Sequence, residues 1–221
     1  MSRAVRTVRR KLSNPLALAV MVTLFERPLH PYEIARVLRL RGKDQSIKIN
    51  YGSLYTVVRN LEKHGFVEEA GTDRRGNRPE RTLYGLTSAG RREARDWLAD
   101  LVAVPVREYP LFETALSLLM ALPYDDARAL FDERIAARED EAAGHREALR
   151  ELDGTLPRLL LVEAEFRLHM LEAELDWLHG FRADLDRDAV GGTAEWRELS
   201  ETGRIPETLR KLEEAASENA E

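Results

Sequence analysis

The chain contains no cysteine, which excludes disulfides, thiolate metal sites and a cysteine nucleophile. It has no run of eighteen apolar residues, so no membrane-spanning helix is predicted. Residues 1–12 are basic but lack the apolar stretch of a secretory signal, and the reading that follows is a soluble, cytoplasmic protein. Catalytic signatures are missing as well: there is no glycine loop of the Walker type, no G-x-S-x-G elbow and no H-E-x-x-H. Neither enzymatic activity nor a cofactor is expected.

What is present is enough apolar material for a core and a strong separation of charge. At 221 residues and 43% hydrophobic composition, the length suits two modest domains. The net charge is -5, yet residues 1–95 hold 20 Lys+Arg against 9 Asp+Glu, or +11, and residues 96–221 carry -16. Such a split suggests a polyanion-binding module joined to an acidic part with another task.

The basic part has the order of a winged helix-turn-helix. Residues 15–25 are helix formers and apolar nearly all round, preceded by Asn14 and opened by Pro15, which predicts a buried first helix. A turn over 26–30 leads to a second helix over 31–40, with Ile34, Val37 and Leu38 facing inward, followed by a polar connector to Ile49. In residues 50–65, Leu54, Val57, Val58 and Leu61 recur at helical spacing, with Asn50 as N-cap and Gly65 as the C-terminal stop. Tyr51, Ser53, Tyr55, Thr56 and Arg59 occupy the other faces, where hydrogen-bonding groups can meet phosphates or base edges. Lys48 lies just ahead of them. Strands over 66–70 and 81–86 can then pair as a hairpin, with Arg74, Arg75 and Arg78 at the tip of the loop between them.

The acidic part reads as all helix. Thr87 can cap a helix from Ser88 to about Val104, a short apolar helix covers 109–122, and a long charged helix runs over 125–152. In the last long helix, over 159–186, Leu161, Ala164, Leu168, Leu171, Leu175, Leu178 and Leu185 follow alternating spacings of three and four, with Arg182 the one polar interruption, the pattern of a coiled-coil seam. Leu161, Leu168, Leu171, Leu175 and Leu178 are therefore the expected homodimer contacts. Beyond residue 190 the sequence turns polar and is read as a tail, partly disordered, with one weak helical stretch near 206–216. The predicted division is residues 1–104 as DNA-binding domain with its linking helix, 105–188 as helical dimerisation domain, and 189–221 as tail. The predicted class is mainly α: an N-terminal winged helix-turn-helix with a two-stranded wing, followed by a coiled-coil-like helical domain.

Residues 14–90 resemble the PadR family of bacterial transcriptional regulators. The features that carry the likeness are the Pro-Leu-Ala-Leu opening of the first helix, His30-Pro31-Tyr32-Glu33-Ile34, and Gly52-Ser53-Leu54-Tyr55 followed by Leu61-Glu62-Lys63-His64-Gly65-Phe66-Val67. Tyr84-Gly85-Leu86-Thr87-Ser88-Ala89-Gly90 completes the set. The helical pattern up to about Leu185 resembles the virulence-activator-like C-terminal domain of one PadR subgroup. The resemblance implies a homodimer on a pseudo-palindromic operator, usually a repressor, released in some members by a small-molecule effector. It implies DNA contact by Tyr32, Ser53, Tyr55, Thr56 and Arg59, with Arg74, Arg75 and Arg78 in the wing. The segment after Gly191 departs from the family's pattern.

Three other readings accompany this one. Trp97 and Trp177 are candidates for lining an effector pocket, since a flat aromatic offers a large surface to planar ligands; that both are core anchors at helical spacing is the preferred reading. Glu165, His169, Glu172 and Asp176 share a helix face at metal-compatible spacing, but a solvated charged face explains them better, and no metal is expected. The alternative to a DNA-binding regulator is a winged-helix protein-interaction module whose basic face meets acidic partners.

Overall fold

A computed structural model of the protein describes residues 12–73 and 81–218. The chain divides into two compact units, Met1–Glu108 and Tyr109–Glu221.

The first unit is built around a helix with almost no polar face. In α1 (Pro15–Thr23), every residue from Leu16 to Met21 is buried, and Asn14 caps its start by accepting from the Leu16 N–H at 3.0 Å. Against it pack α2 (Pro31–Leu40) through Ile34, Ala35 and Leu38, and α3 (Tyr51–Lys63) through Leu54, Val57, Val58 and Leu61. That is the stripe the spacing predicts. Asn50 accepts from the Gly52 N–H to cap α3. At the other end Gly65, at φ +71°, closes a Schellman turn in which the Phe66 N–H donates to the Leu61 carbonyl and the Gly65 N–H to that of Glu62.

The reversed chain continues as β1 (Val67–Asp73), antiparallel to β2 (Arg81–Leu86), with an irregularity between Glu69 and Thr72. Strand β1 therefore runs three residues into what the sequence suggests is loop. Leu29, predicted to lie in a turn, exchanges both backbone hydrogen bonds with Tyr84 at 3.0 Å and so ties the start of α2 to the wing. Helix α4 (Ser88–Ala103) is capped by Thr87, whose hydroxyl accepts from the Gly90 N–H and donates to the Gly65 carbonyl at 2.7 Å. Its Ala94 and Trp97 close the core.

Every regular element among the described residues of the second unit is a helix. Helix α5 (Leu111–Ser117) and a 3-10 turn at Leu119–Ala121 precede α6 (Tyr124–Leu152), which forms an antiparallel pair with α7 (Val162–Asp186). A 3-10 turn, Arg158–Leu160, replaces the predicted first turn of α7. Leu171 and Leu175 pack on Ala142 and Ile135, while Leu178 and Leu185 pack on Tyr124, Ala127 and Phe131.

This burial corrects the expectation that the leucine seam is a free dimer face. Leu161, Leu171, Leu175 and Leu178 are at most 8% exposed within a single chain, and Leu168 packs beside them. A seam of leucines has the same pattern whether its partner is another chain or the preceding helix, and here α6 supplies the cover. Ion pairs flank the contact: Arg134 and Arg138 on Glu174, Arg146 on Glu172 and Arg182 on Asp132.

The segment after residue 189 also differs from its reading as a polar tail. It holds α8 (Thr193–Thr202) and α9 (Glu207–Glu218). Trp196 of α8 is 5% exposed, meets the Tyr124 ring edge-on at 5.2 Å and donates its indole N–H to the Leu122 carbonyl at 2.8 Å. One large buried aromatic with a satisfied N–H anchors a helix whose composition is otherwise polar. No helix among the described residues is long and apolar enough to cross a membrane.

Candidate nucleic-acid interface

Because α3 buries a stripe of four apolar residues, its remaining residues are held outward in a fixed order. Tyr51, Tyr55, Thr56 and Arg59 are exposed, and Ser53 is partly so. Lys48 points outward from an extended stretch, for Ile47 and Ile49 on either side of it pack against the core. The predicted Tyr32 joins this face from the first turn of α2 and is 49% exposed. All seven of these residues lie in the first unit.

Contacts between the side chains set their geometry. Tyr32 and Tyr51 stack with centroids 5.5 Å apart and planes 15° from parallel. The Arg39 guanidinium lies 4.3 Å from the Tyr51 centroid on its way to the Ile49 carbonyl, which it reaches at 3.3 Å. An arginine and two tyrosines thus form a column that bridges α2 and α3, with the rings oriented before any ligand arrives. The Ser53 hydroxyl donates to the Asn50 carbonyl at 2.9 Å, so in this conformation its lone pairs, and not its proton, are offered outward.

Beside the column lies a cleft of about 350 Å³ lined by His30, Tyr32, Tyr55 and Arg81. His30 is the N-cap of α2: its Nδ1 accepts from the Tyr32 N–H at 3.1 Å. Partial burial, and then the nearby Arg81 charge, hold the imidazole pKa below its usual value, against a smaller opposing effect of Glu33. Sequence reasoning missed His30, Arg39 and Arg81. A histidine directly before a helix-opening proline was the available signal for the first; nothing local marks the other two, because each depends on a neighbour from another element.

The wing arginines Arg74, Arg75 and Arg78 lie outside the described residues. The two tryptophans proposed to share an effector pocket belong to separate units. Trp97, 5% exposed, is consumed by the first unit's core, which corrects its placement in a pocket. Trp177 is 45% exposed, stacks on Phe181 at 5.0 Å and lines an open groove of about 620 Å³ with Phe112, Leu116, Arg134, Arg138 and Glu174. Of the acidic set on α7, Glu165 pairs with Arg158 and Glu172 with Arg146.

Comparison with known proteins agrees with this architecture. Residues 20–96 match the family described as "Transcriptional regulator PadR-like family". Among solved structures, the chain is similar to Bacillus subtilis PadR in complex with operator DNA at 20% identity, covering 78% of this chain and 99% of that one, with a TM-score of 0.64. It is similar to Bacillus subtilis PadR in complex with p-coumaric acid at 20% identity, covering 77% and 98%, with a TM-score of 0.58. The Vibrio cholerae virulence activator AphA is 16% identical over 79% of this chain and 99% of its own, with a TM-score of 0.58. No curated protein matches the chain. At these identities the structural likeness speaks to the fold, and the predicted winged helix followed by a helical part is the fold observed. Over residues 20–96 the chain carries a domain of the PadR-like transcriptional regulator family.

Proposed function

We propose that the protein is a dimeric DNA-binding transcriptional regulator, acting in the cytoplasm as a repressor, that grips a pseudo-palindromic operator with α3 and the wing of each copy. The observation that carries this reading is the outward face of α3, with Tyr51, Tyr55, Thr56 and Arg59 held rigid by the four buried residues behind them. Lys48, Tyr32 and Ser53 extend that face, and Arg74, Arg75 and Arg78 are assigned to the backbone beside it. Cations that meet phosphates give affinity independent of sequence, while the α3 side chains that reach base edges give choice.

Dimerisation needs a surface other than the buried leucine seam, and α7 has one. Val162, Phe166, Met170, Ala173 and Trp177 follow one another at four, four, three and four residues, and all are exposed. A second apolar stripe on a helix that has already covered its first is suited to a second copy of the chain. The groove beside Trp177, with aromatic walls and two arginines, is the proposed seat of a small-molecule effector that favours a dimer geometry unsuited to the operator. A planar aromatic acid is the ligand class to try, given the p-coumaric acid complex of the Bacillus subtilis protein.

A mobility-shift assay on DNA upstream of the protein's own gene, with competitor DNA at physiological salt, tests the function. Specific retention is expected. Failure to retain any duplex would favour the protein-interaction module instead.

A further inference from the structure

The cleft formed by His30, Tyr32, Tyr55 and Arg81 has a chemistry of its own. Each of the four side chains carries a hydrogen-bond donor, and among the described residues no carboxylate lines the space. It opens where the start of α2, the middle of α3 and the first residue of β2 come together, next to the exposed face of α3. A cleft whose described lining offers four donors suits an anion with several acceptor oxygens.

His30 contributes in an unusual way. Since its Nδ1 accepts the Tyr32 N–H, that nitrogen is unprotonated, and the ring proton of the neutral form is on Nε2. The Tyr55 ring stands edge-on to the imidazole at 6.1 Å and 73° and limits its rotation. Capping the helix therefore fixes a tautomer that has a donor left to give. Arg81 supplies the positive charge that the neutral ring lacks.

We propose that this cleft seats one phosphodiester group of the bound duplex, with the Nε2–H of neutral His30 as an uncharged donor and Arg81 as the charged one. The inference rests on the DNA-binding reading above and adds a contact that the family resemblance does not supply. It separates two roles that basic surfaces usually merge. The Arg81 contact displaces a counterion from DNA and so adds to the salt dependence of binding; the His30 contact adds affinity without doing so.

Fluorescence anisotropy with a random-sequence duplex over a salt series tests this on the full chain, because a backbone contact acts on every sequence. His30→Asn retains an acceptor suited to the helix start, so its thermal midpoint should match the parent's. Its affinity should fall on the order of tenfold, the loss of one hydrogen bond to a charged acceptor, with an unchanged log–log salt slope. Arg81→Ala should lower affinity and flatten the slope by roughly one unit. Parent-like affinity in His30→Asn, or an unchanged slope in Arg81→Ala, overturns the proposal while leaving DNA binding intact. A parent protein that binds no duplex even at low salt overturns the DNA reading itself, and the cleft assignment with it. Nitrogen NMR of the imidazole gives a second readout that does not depend on a variant's folding. The Nε2 resonance should shift on adding duplex, and no shift would count against the contact. An equal shift with inorganic phosphate at matched ionic strength would assign the cleft to the free anion and overturn the proposal.

Discussion

Gly90 shows how narrow the tolerance can be at one position. A Cβ built there would lie 2.0 Å from the Phe66 carbonyl oxygen, a backbone atom that cannot move without breaking its bonds to Thr87. Helix α4 sits this close to the start of β1 because the Thr87 hydroxyl pulls the two chains together. Gly90→Ala should therefore destabilise the first unit by about 3 kcal/mol, at the upper end for added volume in a packed site, as measured by chemical denaturation. His30 gives a second prediction at this level. Its folded pKa lies below the ordinary 6.5, so the unfolded chain takes up its proton more readily than the folded one. The contribution is whole above about pH 6.5 and drains away as the pH falls through the lower, folded value. Stability of the first unit should fall with acidification across that window, and the same titration on His30→Asn should lack this component.

Helices α3, α7 and α8 show three ways in which an element finds its place. Helix α3 is amphipathic, capped at both ends, and buries one stripe. Helix α7 has two apolar stripes, of which the leucines meet α6 and the other is open. Helix α8 has little apolar surface and is held by Trp196. Trp196→Ala should cost about 3–5 kcal/mol, the usual range for emptying a buried aromatic site, and α8 should lose amide-exchange protection ahead of α6 and α7. Equal protection in parent and variant would mean that α8 is held by something other than this side chain.

For the whole protein, charge and symmetry are the quantities that matter. The basic excess of residues 1–95 and the acidic excess of the remainder accord with the proposal that nucleic acid meets one unit and a second copy the other. If two copies pair along the open stripe of α7, Phe166→Glu or Met170→Glu places a charge against apolar side chains, yet leaves the intrachain leucines untouched. Sedimentation should then report a folded monomer, and operator affinity should drop steeply, because one winged helix alone makes only half of the phosphate contacts. A variant that remains dimeric would move the interface elsewhere, for instance to the exposed Leu98, Leu101 and Val102 of α4.

Local signals make much of the first unit legible in the sequence. Asn14, Asn50 and Thr87 cap where their side chains suggest, Gly65 reverses the chain, and the three-four spacing in α3 separates buried from exposed residues. Each of these is an interaction between residues a few positions apart, so sequence order alone specifies it. The leucine seam was equally visible, but its partner was not, since periodicity marks an apolar face and is silent about what covers it. Trp196, Arg81 and Arg39 acquire their roles from residues brought close only when the chain folds. Contacts across long sequence separations, on which the α6–α7 pairing, the docking of α8 and the His30 cleft depend, were decided by the packing of whole elements and leave no local mark.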